Sequence, residues 1–161
     1  MEIRKADLNS LDEILEIYKN ARTFMAENGN PAQWGNTYPS EETIRRNIAQ
    51  GKCHLCMENM KILCVFYFAV ETEPNYLEIT DGNWLNDKPY GVVHRIASAG
   101  GVKGAATYCL NWAFEQSGGN LRIDTHDDNL PMQNLLGKLG FTRCGRVTVE
   151  DGTPRIAYQK C

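Results

Sequence analysis

The stretch Gly91-Val92-Val93-His94-Arg95-Ile96-Ala97-Ser98, running on through Ala99-Gly100-Gly101-Val102-Lys103-Gly104-Ala105-Ala106 and closing on Leu139-Gly140-Phe141, decides how this chain folds. It gives an apolar strand, a glycine-rich turn, a helix, a second strand and a capped helix, the order of a nucleotide-cofactor half-domain. After the turn, Ala106, Cys109, Leu110, Ala113 and Phe114 recur at helical spacing, and Gly118-Gly119 stops that helix. Leu121 to Thr125 alternates as a strand. Asp128 or Asn129 can then cap a further helix, with Pro131 in its first turn and Gly140 at its end.

Upstream of that block, Glu2 to Ala6 is strand-like and Leu11, Ile14, Leu15, Ile17, Tyr18 and Ala21 mark a helix that Asn9 or Ser10 can cap. A polar loop from Glu27 to Pro39 leads to a second helix that starts at Ser40 and stops at Gly51. Lys52 to Met57 and Ile62 to Val70 form an apolar hairpin, whereas Glu71 to Lys88 carries turn clusters and little pattern. Downstream, Phe141 to Val149 and Thr153 to Gln159 make a closing hairpin about Asp151-Gly152. The expected order is β-α-α-β-β-β-α-β-α-β-β, an α/β (mixed α+β) chain with a central mixed sheet and helices on both faces.

A chain of 161 residues fits one domain, expected over 1–161, and needs no metal or disulfide staple. Its formal charge of -3 supplies no field for nucleic acid. It has no apolar run long enough for a membrane span and no basic-then-apolar leader, so a cytoplasmic protein is expected. The six cysteines are read as free thiols, and the one C-x-x-C, Cys53 and Cys56, lacks the second ligand pair of a zinc site. No metal is expected.

The order of elements, together with Val92 to Phe141, resembles the GNAT superfamily of N-acetyltransferases. The resemblance implies acetyl-CoA as cosubstrate and direct transfer of its acetyl group to a primary amine on a small molecule or peptide. The family's pyrophosphate turn Q/R-x-x-G-x-G/A is matched by Gly101-Val102-Lys103-Gly104-Ala105-Ala106, with glycine where Gln or Arg is usual. Backbone N–H groups at the following helix would take the pyrophosphate, and Lys103 can add a point charge. By the same resemblance, Ile96, Ala97 and Ser98 line the pantetheine arm, Ile96 and Ser98 through their backbone groups. Asn129, with Met132 beside it, faces the same arm. The two parallel strands must then splay beyond Val92 and Arg122.

Acyl transfer needs a neutral amine, a polarised carbonyl and a protonated leaving thiol. His94 is the candidate base, since imidazole titrates near about pH 6.5; a packed strand histidine is the other reading. The family's acid is a tyrosine seven residues after the asparagine, and that position holds Leu136. Tyr108, Tyr158 and Cys109 are alternatives. Acceptor candidates are Trp34 in the loop with Tyr38, Glu71 and Asp81 as carboxylates for a cationic amine, and His126 at the cleft mouth. A CoA-binding or regulatory module with this fold and little catalysis stays open beside the enzyme. The edge strands at the C-terminus must be covered or paired, which admits a homodimer.

Overall fold

In the computed structural model, which describes residues 1–161, strands and helices follow in the expected order. β1 spans Glu2–Lys5, α1 Leu11–Glu27, α2 Glu41–Ala49, β2 Cys53–Glu58 and β3 Lys61–Val70. β4 (Gly91–Ser98), α3 (Ala105–Gln116), β5 (Leu121–Thr125), α4 (Leu130–Lys138), β6 (Thr142–Thr148) and β7 (Pro154–Lys160) complete the chain. The strands form a 7-stranded sheet ordered β1-β2-β3-β4-β5-β7-β6, in which only β4 and β5 are parallel. No helix is long and apolar enough to cross a membrane.

Local chemistry explains most boundaries. Ser40 caps α2 by accepting from the Thr43 N–H, and Asn129 caps α4 by accepting from the Met132 N–H. Asn59 and Met60, both at positive φ, turn the β2–β3 hairpin. The start of α1 differs from expectation. Asp7, not Asn9 or Ser10, supplies the capping carboxylate, which accepts from the Asn9 N–H and starts a 3-10 turn over Leu8–Ser10. Ser10 occupies the N-cap position of α1 without a side-chain bond.

Two cores form on the two faces of the sheet. On one face α1 and α2 bury Ile14, Ile17, Tyr18 and Ile44 against Leu55, Val65 and Ala97. On the other, α3 and α4 bury Cys109, Leu110, Ala113 and Leu136 against Cys64, Phe66, Val93 and Ile123. The strand pleat sends alternate residues to opposite faces. Cys53 therefore joins the α1/α2 core and Cys56 the α3/α4 core, so the C-x-x-C cannot close on one metal or one disulfide. Burial pushes the Cys53 thiol up to about 11, although Arg95 opposes it, which leaves it protonated at neutral pH.

The unpatterned stretch after β3 is not a free loop. Pro74–Tyr76 forms a 3-10 turn, and buried Tyr76 packs with Tyr67, Tyr90, Val92 and Ala157 on the α1/α2 face of the sheet. Thr80 reaches β6 through a bridge to Arg146.

Two irregularities in β4 shape the functional region. β4 and β5 pair only at Gly91↔Leu121 and Val92↔Arg122, after which they separate as the cofactor resemblance requires. Along its other edge β4 carries a bulge: Val65 pairs with Ala97 and Tyr67 with His94, leaving both Arg95 and Ile96 opposite Phe66. Arg95 takes φ 51, a left-handed conformation that costs a non-glycine residue about 1–3 kcal/mol.

Candidate active site

Where β4 and β5 part, a cleft of about 690 Å³ opens. β4 contributes His94, Arg95 and Ile96; β5 contributes Asp124 and Thr125; the start of α4 contributes Asn129 and Met132. The α1–α2 loop, with Gln33, Trp34 and Tyr38, closes one side, and the β6–β7 turn at Glu150 and Asp151 closes another. A smaller hollow of about 490 Å³ at the β1 edge is lined by no histidine, cysteine or tyrosine.

The bulge places two functional side chains together. His94 and Tyr67 are register partners, with ring centroids 5.3 Å apart. Strict alternation would send Arg95 to the opposite face, but its guanidinium lies 5.0 Å from the same Tyr67 ring. Tyr18 steadies this kink by donating its hydroxyl hydrogen to the Arg95 carbonyl at 2.8 Å.

His94 Nε2 sits 3.3 Å from Glu73 Oε2, and both side chains are largely withdrawn from solvent. Burial pushes the Glu73 carboxyl up. The His94 hydrogen bond and charge, the Asn75 N–H and the Arg95 charge outweigh it and hold Glu73 below its ordinary range. Beside this pair, Tyr76 donates to Asp124 at 2.6 Å. Burial first, and then the Asp124 carboxylate, raise that hydroxyl well above its usual range, so Tyr76 stays protonated. Tyr67 likewise donates to Glu71 at 2.7 Å, with burial and then that hydrogen bond raising it.

Among the expected site residues, His94, Ile96, Asn129, Met132 and Trp34 meet at the cleft. Trp34 does so while anchored: it is buried and packs edge-on to Tyr18, 5.7 Å between centroids. Asn129 caps α4 and also donates from Nδ2 to Gln33 Oε1 at 3.0 Å, tying α4 to the α1–α2 loop. Ala97, Ser98 and the turn Gly101 to Ala106 lie farther along the path from β4 into α3, outside the cleft itself. There Gly101, Val102, Lys103 and Gly104 are exposed, whereas Ala105 packs into the α3/α4 core. Gly104 occupies the α3 N-cap at φ 89 and offers no side chain, so the first N–H groups of the 12-residue helix stay uncapped.

Three acceptor candidates lie outside the cleft lining. Glu71 is taken up by Lys52 at 2.8 Å and by Tyr67. Asp81 is exposed on the segment that bridges to β6, 4.0 Å from Arg146 Nε. His126 is held in its own loop, where Nδ1 accepts from the Asp128 N–H. None of the three alternative acids reaches the cleft: Tyr158 and Cys109 are buried elsewhere, and Tyr108 is exposed on α3. Leu136 is fully buried in the α3/α4 core, which explains why an aliphatic residue is accepted there.

Two residues that pattern reading passes over are Glu73 and Arg95. Glu73 lies in the unpatterned stretch, and only the bulge turns Arg95 toward His94.

The fold matches solved structures over nearly the whole chain. An acetyltransferase of the GNAT family from Streptococcus agalactiae is 33% identical, with TM-score 0.89, and the match covers 99% of this chain and 94% of that one. The chain belongs to the GNAT family of acetyltransferases. A putative acetyltransferase from Staphylococcus aureus is 25% identical at TM-score 0.72, covering 99% of this chain and 98% of that one. A putative acetyltransferase from Salmonella typhimurium, solved with its cofactor acetyl-CoA, shares the fold at 16% identity and TM-score 0.65, covering 98% of this chain and 91% of that one. No protein-family model matches the chain, and no curated protein matches it. In this GNAT protein β4 and β5 part beyond Val92, and α3 begins at Gly104 without a side-chain cap.

Proposed function

We propose that this GNAT protein is an acetyl-CoA-dependent N-acetyltransferase that moves the acetyl group directly from the thioester to a primary amine. The observation that carries the reading is the histidine–carboxylate pair, His94 with Glu73, set beside the β4–β5 gap. The residues there suit acetyl-CoA. The Thr125 hydroxyl lines the cleft and is buried without a partner, and β4 past Val92 has no β5 neighbour, so polar groups remain for pantetheine amides. Gly104 leaves the α3 N–H groups free for the pyrophosphate, with Lys103 in reach of it as a charge. Ile96, Ser98, Asn129 and Met132 would flank the arm between these ends.

In the reaction the amine nitrogen attacks the thioester carbonyl, the C–N bond forms, and the C–S bond breaks to release the CoA thiolate. His94 takes the proton that the amine must lose, and Glu73 orients the ring and stabilises its protonated form. None of Tyr108, Cys109 and Tyr158 reaches the cleft to replace the missing tyrosine at Leu136, and in this reading the thiolate takes its proton from water.

Leu136 is also the observation that favours a second reading, a CoA-binding module with little catalysis. Calorimetric titration with CoA and acetyl-CoA, followed by a thiol-release assay over a panel of amines, separates the two. Turnover with at least one amine is the expected result. Tight CoA binding with no turnover for any amine supports the module, and absence of CoA binding overturns both.

A further inference from the structure

We infer that the acceptor amine also carries a carboxylate, as a free amino acid does, and that Arg95 is the residue that binds it. The inference rests on the N-acetyltransferase reading and names the substrate class of that same cleft.

It follows from how the cations of the cleft wall are paired. Arg46, Arg95 and Arg155 all line it, and none is in an ion pair; the one paired cation there is Lys52, held by Glu71. Arg95 donates to two neutral acceptors, the Tyr38 hydroxyl at 2.9 Å and Asn47 Oδ1 at 2.7 Å, and its Nε is buried with no partner. Arg155 is buried and also meets only neutral oxygens, those of Thr153, Pro154 and Gln33. The inner carboxylates are already engaged: Glu73 with His94, Asp124 with Tyr76. Asp151 accepts from Thr153 at the exposed turn, and Glu150 is exposed beside it. Arg95 therefore keeps donor capacity that no carboxylate contacts, Glu73 acting on it only through its field, and this suits an anionic group on the acceptor.

Both groups meet the same ring. His94 and Arg95 are consecutive in β4 and lie 5.3 and 5.0 Å from the centre of one Tyr67 ring, with the amine assigned to the first and the carboxylate to the second. The partners of Arg95 come from α2 and the α1–α2 loop, not from the Gly101–Ala106 turn proposed for the pyrophosphate. The strained backbone at Arg95 is what brings its side chain to this face.

The test compares acceptors on the unaltered protein. With acetyl-CoA saturating, thiol release is measured for the standard α-amino acids, each beside its carboxamide and its decarboxylated amine. For the best amino acid, kcat/KM is expected to exceed that of both counterparts by about tenfold to a hundredfold, mostly through KM. In Arg95→Gln that ratio falls toward one, and Arg95→Lys, which keeps the charge without the planar fork, recovers part of it. Melting curves and calorimetric binding of acetyl-CoA check that the variants fold. Equal efficiency for all three kinds of acceptor, or a preference for the decarboxylated amine, overturns this inference and leaves the N-acetyltransferase reading standing. No thiol release with any acceptor overturns both.

Discussion

His94 Nε2 and Glu73 Oε2 meet at 3.3 Å although 21 residues separate them, because the Pro74–Tyr76 turn folds back over the sheet beside β4. The pair sits where an amine could approach the β4–β5 gap. His94→Ala is expected to lower kcat by about a hundredfold to ten-thousandfold while the KM for acetyl-CoA stays put. Glu73→Gln should lower it less, since the ring survives and loses only its orienting charge. Steady-state thiol release with both variants measures this, and an unchanged kcat and pH–rate profile in His94→Ala would remove it as the base.

The same carboxylate makes stability depend on pH. Glu73 is held below its ordinary value of 4.5 in the folded chain, so its stabilising contribution is present above that value and lost as pH falls through the folded one. Urea denaturation at a series of pH values should show the parent protein losing stability relative to Glu73→Gln below pH 4.5. Parallel curves for the two proteins would contradict the linkage.

Gly91 begins β4 at the first of its rungs with β5, and a Cβ there would come within 2.6 Å of Ser117 Cβ and 3.0 Å of Phe68 Cε1. Gly91→Ala is expected to destabilise the protein by about 1–3 kcal/mol through overpacking. The urea midpoint reports the loss, and the KM for acetyl-CoA should rise with it as the gap shifts.

At Gly104 the difficulty is conformational instead. A Cβ would meet nothing within 4 Å, but φ is 89. Gly104→Ala should therefore lose about 1–2 kcal/mol from left-handed backbone and raise the KM for acetyl-CoA more than that for the acceptor. Chemical denaturation and two-substrate kinetics test the two parts separately.

Leu136 stands where a family tyrosine would be, and it is fully buried. Leu136→Ala should cost about 2–5 kcal/mol as a core cavity. Leu136→Tyr is expected to destabilise without raising kcat, because the phenol must displace core side chains before it can reach the cleft. A gain in kcat would instead assign proton donation to that position.

Much of this fold was legible because its signals are local. Helical spacing, the Asn129 cap with Pro131 behind it, and the alternation of β5 each depend on neighbours within a few residues. The splay beyond Val92 and Arg122 came from the family resemblance, not from any pattern in the strands. Arg95 was not legible, since reading β4 as an even strand sends it to the face opposite His94, and only the bulge reverses that. Glu71 and Asp81 drew attention as carboxylates in a variable stretch, yet the nearby Glu73 is the one that folding delivers to the cleft. Which acid wins depends on the turn at Pro74–Tyr76 and on buried Tyr76, contacts between residues far apart in the chain.

The two rungs joining β4 to β5 are the only strand pairing between a block made of β1 to β4 and another made of β5, β7 and β6. Such a seam is where a sheet opens first, and a molecule lying in the gap would serve as an absent strand between two half-sheets. An occupant of that kind contributes to the architecture as much as to the chemistry. The core shared by β2 to β5 and β7, with the Thr80–Arg146 bridge, is what keeps the two half-sheets in register when the gap is empty.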